Sequence, residues 1–172
     1  GGALRYEPGR DRWTLYDDAI DGIVTAIVAD GGGSVWFGRQ FANDGGATLI
    51  QRDPVGRWHQ VSLRAFTGGD LDAPVRGLAM APDGTVVQTT FDDALLLFGP
   101  SGKGLWMPQD RLPPLSSDAQ PMCAGEDRTL WVLLRQGVAS YRRSEGWRIE
   151  QSADGLPYRS FSSIACAAWP LF

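Results

Sequence analysis

Short runs of alternating apolar and polar residues fill this chain, and polar, glycine-containing turns separate them. Leu4-Arg5-Tyr6 precedes a turn around Gly9, and a second run then begins at a tryptophan. This order, typical of a β-hairpin, recurs roughly every 45 residues. The tryptophans that begin the second runs are Trp13, Trp58, Trp106 and Trp147. No segment shows the 3.6-residue periodicity of an amphipathic helix over a helical length.

A second kind of hairpin lies between the first ones. The run ending at Asp30 passes through three glycines to Ser34-Val35-Trp36, and comparable turns lie at 82–84 and 126–128. One period therefore holds four short strands. Four antiparallel strands in about 40–50 residues are typical of a β-propeller blade. The sequence predicts an all-β chain of such blades.

The phase of the repeat predicts which blades the chain contains. The predicted blade parts of this propeller, or partial propeller, are 3–17, 23–63, 75–110, 121–151 and 160–168. They amount to about four blades, the lower limit for a closed propeller. This count is compatible with an open part of a larger ring, completed by missing blades or a further chain. A small closed ring is the alternative.

Neighbouring blades stack face to face, and large side chains at equivalent positions fill the space between them. This role is predicted for Trp13, Trp36, Trp58, Trp106, Trp131 and Trp147. Sugar-binding aromatics at equivalent exposed positions are the alternative.

These residues also resemble a known family. Ile23 to Asp30 followed by Ser34-Val35-Trp36-Phe37-Gly38, and the Asp154-Gly155-Leu156-Pro157 connector, are similar to the two-component regulator propeller repeat. Related patterns occur in virginiamycin-lyase-like propellers. The middle repeat departs from the family pattern at Val87-Gln88 and Asp92-Asp93. The resemblance implies a non-catalytic ligand- or protein-binding module, used as an extracytoplasmic sensor in the periplasm or at the cell surface. Because members of the family carry more repeats than this chain, it also implies that the chain is an open part of a larger ring.

Composition narrows the classes of partner. Apolar residues make up 43% of the 172 residues and charged residues 21%, which excludes a disordered chain. The net charge is −4, and the 16 basic residues form no block, which argues against nucleic acid. No apolar run approaches the roughly 18 residues of a membrane span. The expected partner is a protein, a small molecule or a sugar.

Candidate catalytic residues are few. His59 is the only histidine, so a multi-histidine metal site is not available within this chain. Acidic pairs lie in turns, where such residues hydrogen-bond their own backbone. The pairs are Asp17-Asp18, Asp70 with Asp72, Asp92-Asp93 and Glu126-Asp127. We predict no catalytic residue, metal or cofactor, and a metal-assisted lyase or lactonase-like enzyme and a lectin-like binder remain alternatives.

Two connectors, Phe41–Gly46 and Ala65–Ala73, are longer than the repeat needs. Insertions in repeat proteins often lie on the binding face. The sequence therefore predicts a contact surface at these connectors, with a tolerated surface insertion as the alternative. The predicted contact residues are Arg39, Gln40, Arg64, Phe66 and Asp70.

The chain has two cysteines, Cys123 and Cys166. Two cysteines make neither a disulfide framework nor a zinc-finger pattern. We expect two small buried residues in strands, and pairing in an oxidising compartment is the alternative.

Overall fold

The structure is a computed structural model of all 172 residues. It describes residues 2–16, 18–40, 48–62, 74–81, 86–90, 95–98, 104–107, 122–125, 127, 129–134, 137–142, 144–150 and 164–166. For 86–90, 95–98 and 104–107 the structure describes the backbone alone.

The described residues form antiparallel β-sheets and one turn of 3₁₀ helix at Pro8–Arg10. A two-stranded sheet pairs β1 (Ala3–Glu7) with β2 (Arg12–Tyr16). Three four-stranded sheets follow. Their strands are β3 (Val24–Ala29), β4 (Val35–Arg39), β5 (Leu49–Arg52) and β6 (Trp58–Val61); β7 (Val75–Met80), β8 (Val86–Thr90), β9 (Leu95–Phe98) and β10 (Gly104–Met107); and β11 (Met122–Ala124), β12 (Leu130–Leu134), β13 (Gly137–Arg142) and β14 (Gly146–Glu150).

Strands that follow one another in sequence are neighbours in every sheet, which is the meander of a propeller blade. Each four-stranded sheet falls within one of the ranges 23–63, 75–110 and 121–151. Of the range 160–168, residues 164–166 are described and lie outside any strand. The blade part expected there stays a prediction.

The chain divides into two compact units, Gly1–Val75 and Arg76–Phe172. In the first unit, the β1–β2 hairpin packs one face against the β3–β6 sheet. Buried Ala3 and Ile20 contact Phe37 and Ile50. The partly buried rings of Tyr16 and Trp58 pack against this cluster. β4 is almost entirely buried, and its Phe37 belongs to this cluster.

In the second unit, buried Met122, Leu130 and Val132 of the β11–β14 sheet cluster with Ala79 of β7. The rings of Tyr141 and Trp147 are partly buried against this cluster. Alternation along β12 and β13 puts these side chains on one face of the sheet, because side chains two residues apart share a face.

The tryptophans predicted to fill the space between blades have different surroundings. Trp36 is buried, and Trp58, Trp131 and Trp147 are half-buried. The side chain of Trp106 lies outside the described residues. Trp13 differs from the prediction that it is packed between blades, because 63% of its surface is exposed. It points away from the β3–β6 sheet, and no other described sheet of the first unit covers that face of the hairpin.

The two cysteines were expected to be separate buried residues, and this expectation is wrong. Cys123 and Cys166 form a disulfide bond, with their Cα atoms 5.5 Å apart, and both residues are half-buried rather than buried. The bond closes a sequence separation of 43 residues. It ties the described segment 164–166 to the edge strand β11.

Candidate functional site

The two ends of the β3–β6 sheet differ in their connections. At one end, β3 and β5 begin and β4 and β6 end, so the connectors 41–47 and 62–74 leave the sheet there. We call this the loop end. The opposite end carries the tight turns 30–34 and 53–57, and we call it the turn end. The predicted contact residues belong to the loop end.

Arg39 terminates β4 at the loop end, but its side chain is only 1% exposed. Its guanidinium donates a 2.7 Å hydrogen bond from Nη1 to the carbonyl of Asp21, in the segment that precedes β3. The structure therefore buries Arg39 instead of placing it on a contact surface. Burying a guanidinium is costly unless it is hydrogen-bonded. The bond to Asp21 satisfies this need, and it holds the segment before β3 against the end of β4.

Gln40 follows Arg39 and is half-exposed. Its backbone N–H donates to the carbonyl of Ile23 at 2.9 Å, and the side chain of Ile23 is 54% exposed. Arg64, Phe66 and Asp70 lie outside the described residues. The loop-end surface that the structure describes therefore consists of Gln40 beside an exposed isoleucine, above the buried Arg39.

A bulge in β3 shapes the same end of the sheet. The register between β3 and β4 shifts between Val24 and Ala26, which leaves Thr25 at the bulge. The Thr25 hydroxyl lies 3.1 Å from the carbonyl oxygen of Gly38 and 2.7 Å from that of Val75. Thr25 thus connects the β3–β6 sheet to the first residue of β7 through one side chain.

The turn end carries an ion network that centres on Asp53. Its carboxylate accepts hydrogen bonds from the backbone N–H of Arg57 at 2.8 Å and from Nε of Arg57 at 2.8 Å. Nε2 of His59 lies 3.1 Å from the same carboxylate. The Asp53 side chain is only 12% exposed, whereas those of Arg57 and His59 reach solvent. Gly56, at φ 92°, allows the tight turn that brings these groups together.

These contacts decide the ionisation of Asp53. Burial alone raises its pKa, but the hydrogen bonds from His59 and Arg57 outweigh burial and hold the pKa far below its ordinary value. Asp53 is therefore an ionised anchor for the imidazole of His59. An aspartate that orients a histidine is an element of acid–base sites, but here it lies on a hairpin turn with an arginine beside it.

The β11–β14 sheet carries a comparable network at Asp127. The backbone N–H of Thr129 donates to Asp127 at 3.0 Å and the Thr129 hydroxyl at 2.7 Å. Nη2 of Arg142, from the end of β13, donates to the same carboxylate at 2.6 Å. Thr129 and then Arg142 thus lower the pKa of Asp127.

Asp30 completes the pattern by accepting hydrogen bonds from the backbone N–H groups of Gly32 and Ser34. Asp30, Asp53 and Asp127 thus all stabilise their own turns, as predicted for acidic residues in turns. Among the described residues, no three His, Cys, Asp or Glu side chains are close enough together to hold a metal ion. The other predicted acidic pairs lie wholly or partly outside the described residues.

An aromatic cluster joins the hairpin to the β3–β6 sheet. The guanidinium of Arg52 lies 5.5 Å from the ring centre of Tyr16 and 5.9 Å from that of Trp58. Trp58 also contacts Phe37, with ring centres 5.6 Å apart. Cation–π contacts of this kind add to packing, and Trp58 is partly buried against the apolar cluster of the first unit.

The Asp53–His59–Arg57 network is the feature that sequence reasoning missed. The signal was present as Asp53-Pro54-Val55-Gly56, a turn sequence with residues on both strands available to its first carboxylate. Only the hairpin register shows that His59, two residues beyond the turn, reaches back to Asp53.

Neither a family model nor a curated protein sequence matches this chain. Among solved structures, the chain is similar to virginiamycin B lyase from Staphylococcus aureus, with a TM-score of 0.64 and 14% identity. That match covers 87% of this chain and 48% of the lyase chain. A streptogramin B lyase structure gives a TM-score of 0.67 at 16% identity, covering 91% of this chain and 48% of that one.

The chain is also similar to the extracellular domain of BT4673 from B. thetaiotaomicron, which is named as a hybrid two component system. The TM-score is 0.61 and the identity 20%, over 87% of this chain and 19% of that domain.

These similarities and the four-stranded meander sheets define the class of protein: the chain has the β-propeller fold. It resembles both the lyase propellers and the extracellular propellers of Bacteroides two-component regulators. The chain spans about half the length of the lyase structures that it matches. Among the described residues, no helix is long and apolar enough to cross a membrane.

Proposed function

We propose that this chain is a non-catalytic, ligand- or protein-binding part of a β-propeller, located outside the cytoplasm as a sensor or interaction domain. The observation that carries the proposal is the blade architecture shared with the extracellular domains of BT4673 and BT3049. Two further neighbours are named as a nutrient binding protein from Bacteroides ovatus and as YCF48 bound to a D1 peptide. Nutrients and peptides are therefore the first ligand classes to test.

The disulfide supports the location independently of these similarities. Disulfides persist in oxidising compartments and are rare in the reducing cytosol. Because Cys123 and Cys166 are the only cysteines of the chain, their bond leaves no free thiol. A bonded pair of this kind fits a periplasmic or cell-surface protein.

The turn networks of Asp53 and Asp127 support binding over catalysis. Asp53 and Asp127 are occupied by their own turns and by arginines, and this arrangement stabilises hairpins. The loop end instead exposes Gln40 and Ile23, a polar and an apolar group side by side, beside two long connectors. We assign ligand contact to the loop end for this reason.

Thermal melts with separate pools of neutral oligosaccharides, free amino acids and tripeptides test this proposal. One class should raise the melting temperature, because a ligand that binds only the folded chain stabilises it by mass action. Gln40→Ala should weaken the effect. Gln51→Ala, the same change at a half-buried glutamine of β5 nearer the turn end, should leave it unchanged. No shift with any pool, or equal losses in both variants, would contradict the assignment.

A lyase is the second candidate, because two lyase propellers match the chain at TM-scores of 0.64 and 0.67. One further match is a catalytically inactive histidine-to-alanine variant of virginiamycin B lyase with quinupristin. Incubation with quinupristin, followed by chromatography, tests this candidate. Conversion that His59→Ala abolishes would replace the binding proposal with the enzyme. Unchanged quinupristin, together with a ligand-induced shift in melting temperature, would support the binding module.

A further inference from the structure

Arg52 differs from the other arginines that the structure describes in the first unit, because each of those has an oxygen acceptor. Arg5, Arg10 and Arg12 pair with Glu7, Arg57 pairs with Asp53, and Arg39 donates to the carbonyl of Asp21. Among the described residues, none gives Arg52 such an acceptor, and its Nε is buried without a hydrogen-bond partner. The positive charge of Arg52 is therefore not neutralised by a contact within this part of the chain.

The register explains why the nearby carboxylate does not serve Arg52. Arg52 pairs with Trp58 of β6, so their side chains share the face of the sheet on which Trp58 packs against the cluster with the hairpin. His59, which contacts the Asp53 carboxylate, pairs with Gln51 and lies on the opposite face. The Asp53 carboxylate is thus engaged on one face of the sheet, and the guanidinium of Arg52 lies on the other.

The surroundings of Arg52 hold its guanidinium in place without using its donors. Its central carbon lies over the rings of Tyr16 and Trp58. A guanidinium that stacks on aromatic rings uses its flat faces, while its N–H groups point outward in its own plane. Gly56 leaves room beside it, because a Cβ at that position would lie 2.8 Å from Nη2 of Arg52. The rings and the glycine therefore form a seat for a guanidinium whose in-plane donors have no acceptor in the described chain.

We propose that Arg52 binds the carboxylate of a small-molecule ligand, in a site bounded by Tyr16, Trp58 and Gly56. The fork of guanidinium donors matches the two oxygens of a planar carboxylate, which gives a bidentate, charge-assisted contact. Arg52 is half-buried, so solvent reaches part of its side chain, and an anion there is attracted more strongly than it is in open water. The site lies at the turn end of the sheet, and it goes beyond the ligand contact proposed for the loop end.

Glucuronate and glucose are matched probes, because they differ by a carboxylate in place of a hydroxymethyl group. Each is titrated to about 50 mM into the isotope-labelled full chain, and the Nε–H signal of Arg52 is followed in a proton–nitrogen correlation spectrum. Loss of that signal in Arg52→Lys assigns it. We expect glucuronate to shift the signal saturably, with a Kd in the millimolar range, and glucose to leave it in place. Succinate should also shift it, and the tighter of the two acids identifies a sugar acid or an aliphatic acid as the better ligand class.

Thermal melts with glucuronate test the same contact through stability, because a ligand of the folded chain raises the melting temperature. Arg52→Gln should abolish the rise, and the milder Arg52→Lys should reduce it, since lysine keeps the charge but not the fork of donors. Arg57→Gln is the matched control, because it removes an arginine of the same turn that is 74% exposed and paired with Asp53. It should leave the rise unchanged. Near-ultraviolet circular dichroism verifies that each variant is folded.

Three results would overturn the proposal: an Arg52 signal that neither acid shifts, equal shifts with glucose and glucuronate, or equal losses in Arg52→Gln and Arg57→Gln. Equal losses would show a general response to surface charge instead of a built site. Gln40→Ala, the variant of the loop end, should leave the shift of the Arg52 signal unchanged. The site at Arg52 and the proposed function of the loop end can therefore fail separately.

Discussion

Two tyrosine–tryptophan pairs in this chain have the same local geometry and different surroundings. Tyr6–Trp13 and Tyr141–Trp147 both join neighbouring strands across a tight turn, with similar ring separations. The first pair is largely exposed, and the second packs against an apolar cluster. Strand pairing therefore positions the rings, but only an adjoining sheet buries them. The stabilisation that each pair gives follows from that sheet and not from the hairpin.

The largest expected difference between the two regions concerns the disulfide, which holds β11 of the sheet that carries Tyr141–Trp147. Replacing both cysteines by serine should cost about 4 kcal/mol of unfolding free energy, the chain-entropy value for a loop of this length. Urea unfolding followed by tryptophan fluorescence measures it, with the Trp13→Phe variant removing the signal of the exposed tryptophan. A loss below about 1 kcal/mol would mean that the bond does not constrain the unfolded chain.

Trp147→Ala should cost about 2–4 kcal/mol, because it removes a large half-buried ring from the cluster with Met122, Leu130 and Val132. The same change at Trp13 should cost less than about 1 kcal/mol in the monomer, since its ring is mostly in solvent. Urea melts of both variants at low protein concentration give the comparison. Equal losses would show that Trp13 is covered in solution.

Each of the two regions has a turn carboxylate whose stabilising effect should be lost in acid. The Arg12 hydrogen bonds lower the pKa of Glu7 in the hairpin despite the opposing effect of desolvation, and the Thr129 hydrogen bonds lower that of Asp127. A lowered carboxyl pKa stabilises the folded chain above the ordinary value near 4, and this stabilisation is lost as the pH falls through that value and below it. Asp127→Asn should therefore lower the melting temperature at pH 7 and have little effect at pH 2.

Glu7→Gln gives the matched change in the hairpin. Its effect at pH 7 should be smaller and should fade in high salt, because Glu7 pairs with exposed arginines rather than with backbone N–H groups. Melting curves at low and high salt separate the two cases. A salt-insensitive loss for Glu7→Gln would contradict this distinction.

The smallest expected effect is a difference in how strongly iodide quenches the fluorescence of the two tryptophans. Iodide should quench the fluorescence lost in Trp13→Phe more strongly than that lost in Trp147→Phe, because the ring of Trp13 is 63% exposed. Equal quenching of the two tryptophans at low concentration would remove the basis of the comparison.

Much of the fold could be predicted from local pattern. The alternation of apolar residues and the Asp- and Gly-containing turns predicted the four-stranded antiparallel sheets, because side-chain period and turn chemistry act over a few residues. The candidate site was harder. Arg39 looked like a loop-surface residue, since sequence does not show that its guanidinium turns inward to the Asp21 carbonyl. Arg64, Phe66 and Asp70 remain predictions.

The sequence by itself determined what depends on neighbours along the chain: the strands, their turns and the repeat. Tertiary structure decided what depends on distant residues. Whether Trp13 or Trp147 is buried depends on a facing sheet, and the bond between Cys123 and Cys166 depends on two segments 43 residues apart coming together. Solvent exposure and long-range contact are properties of the packed chain, so no local pattern encodes them.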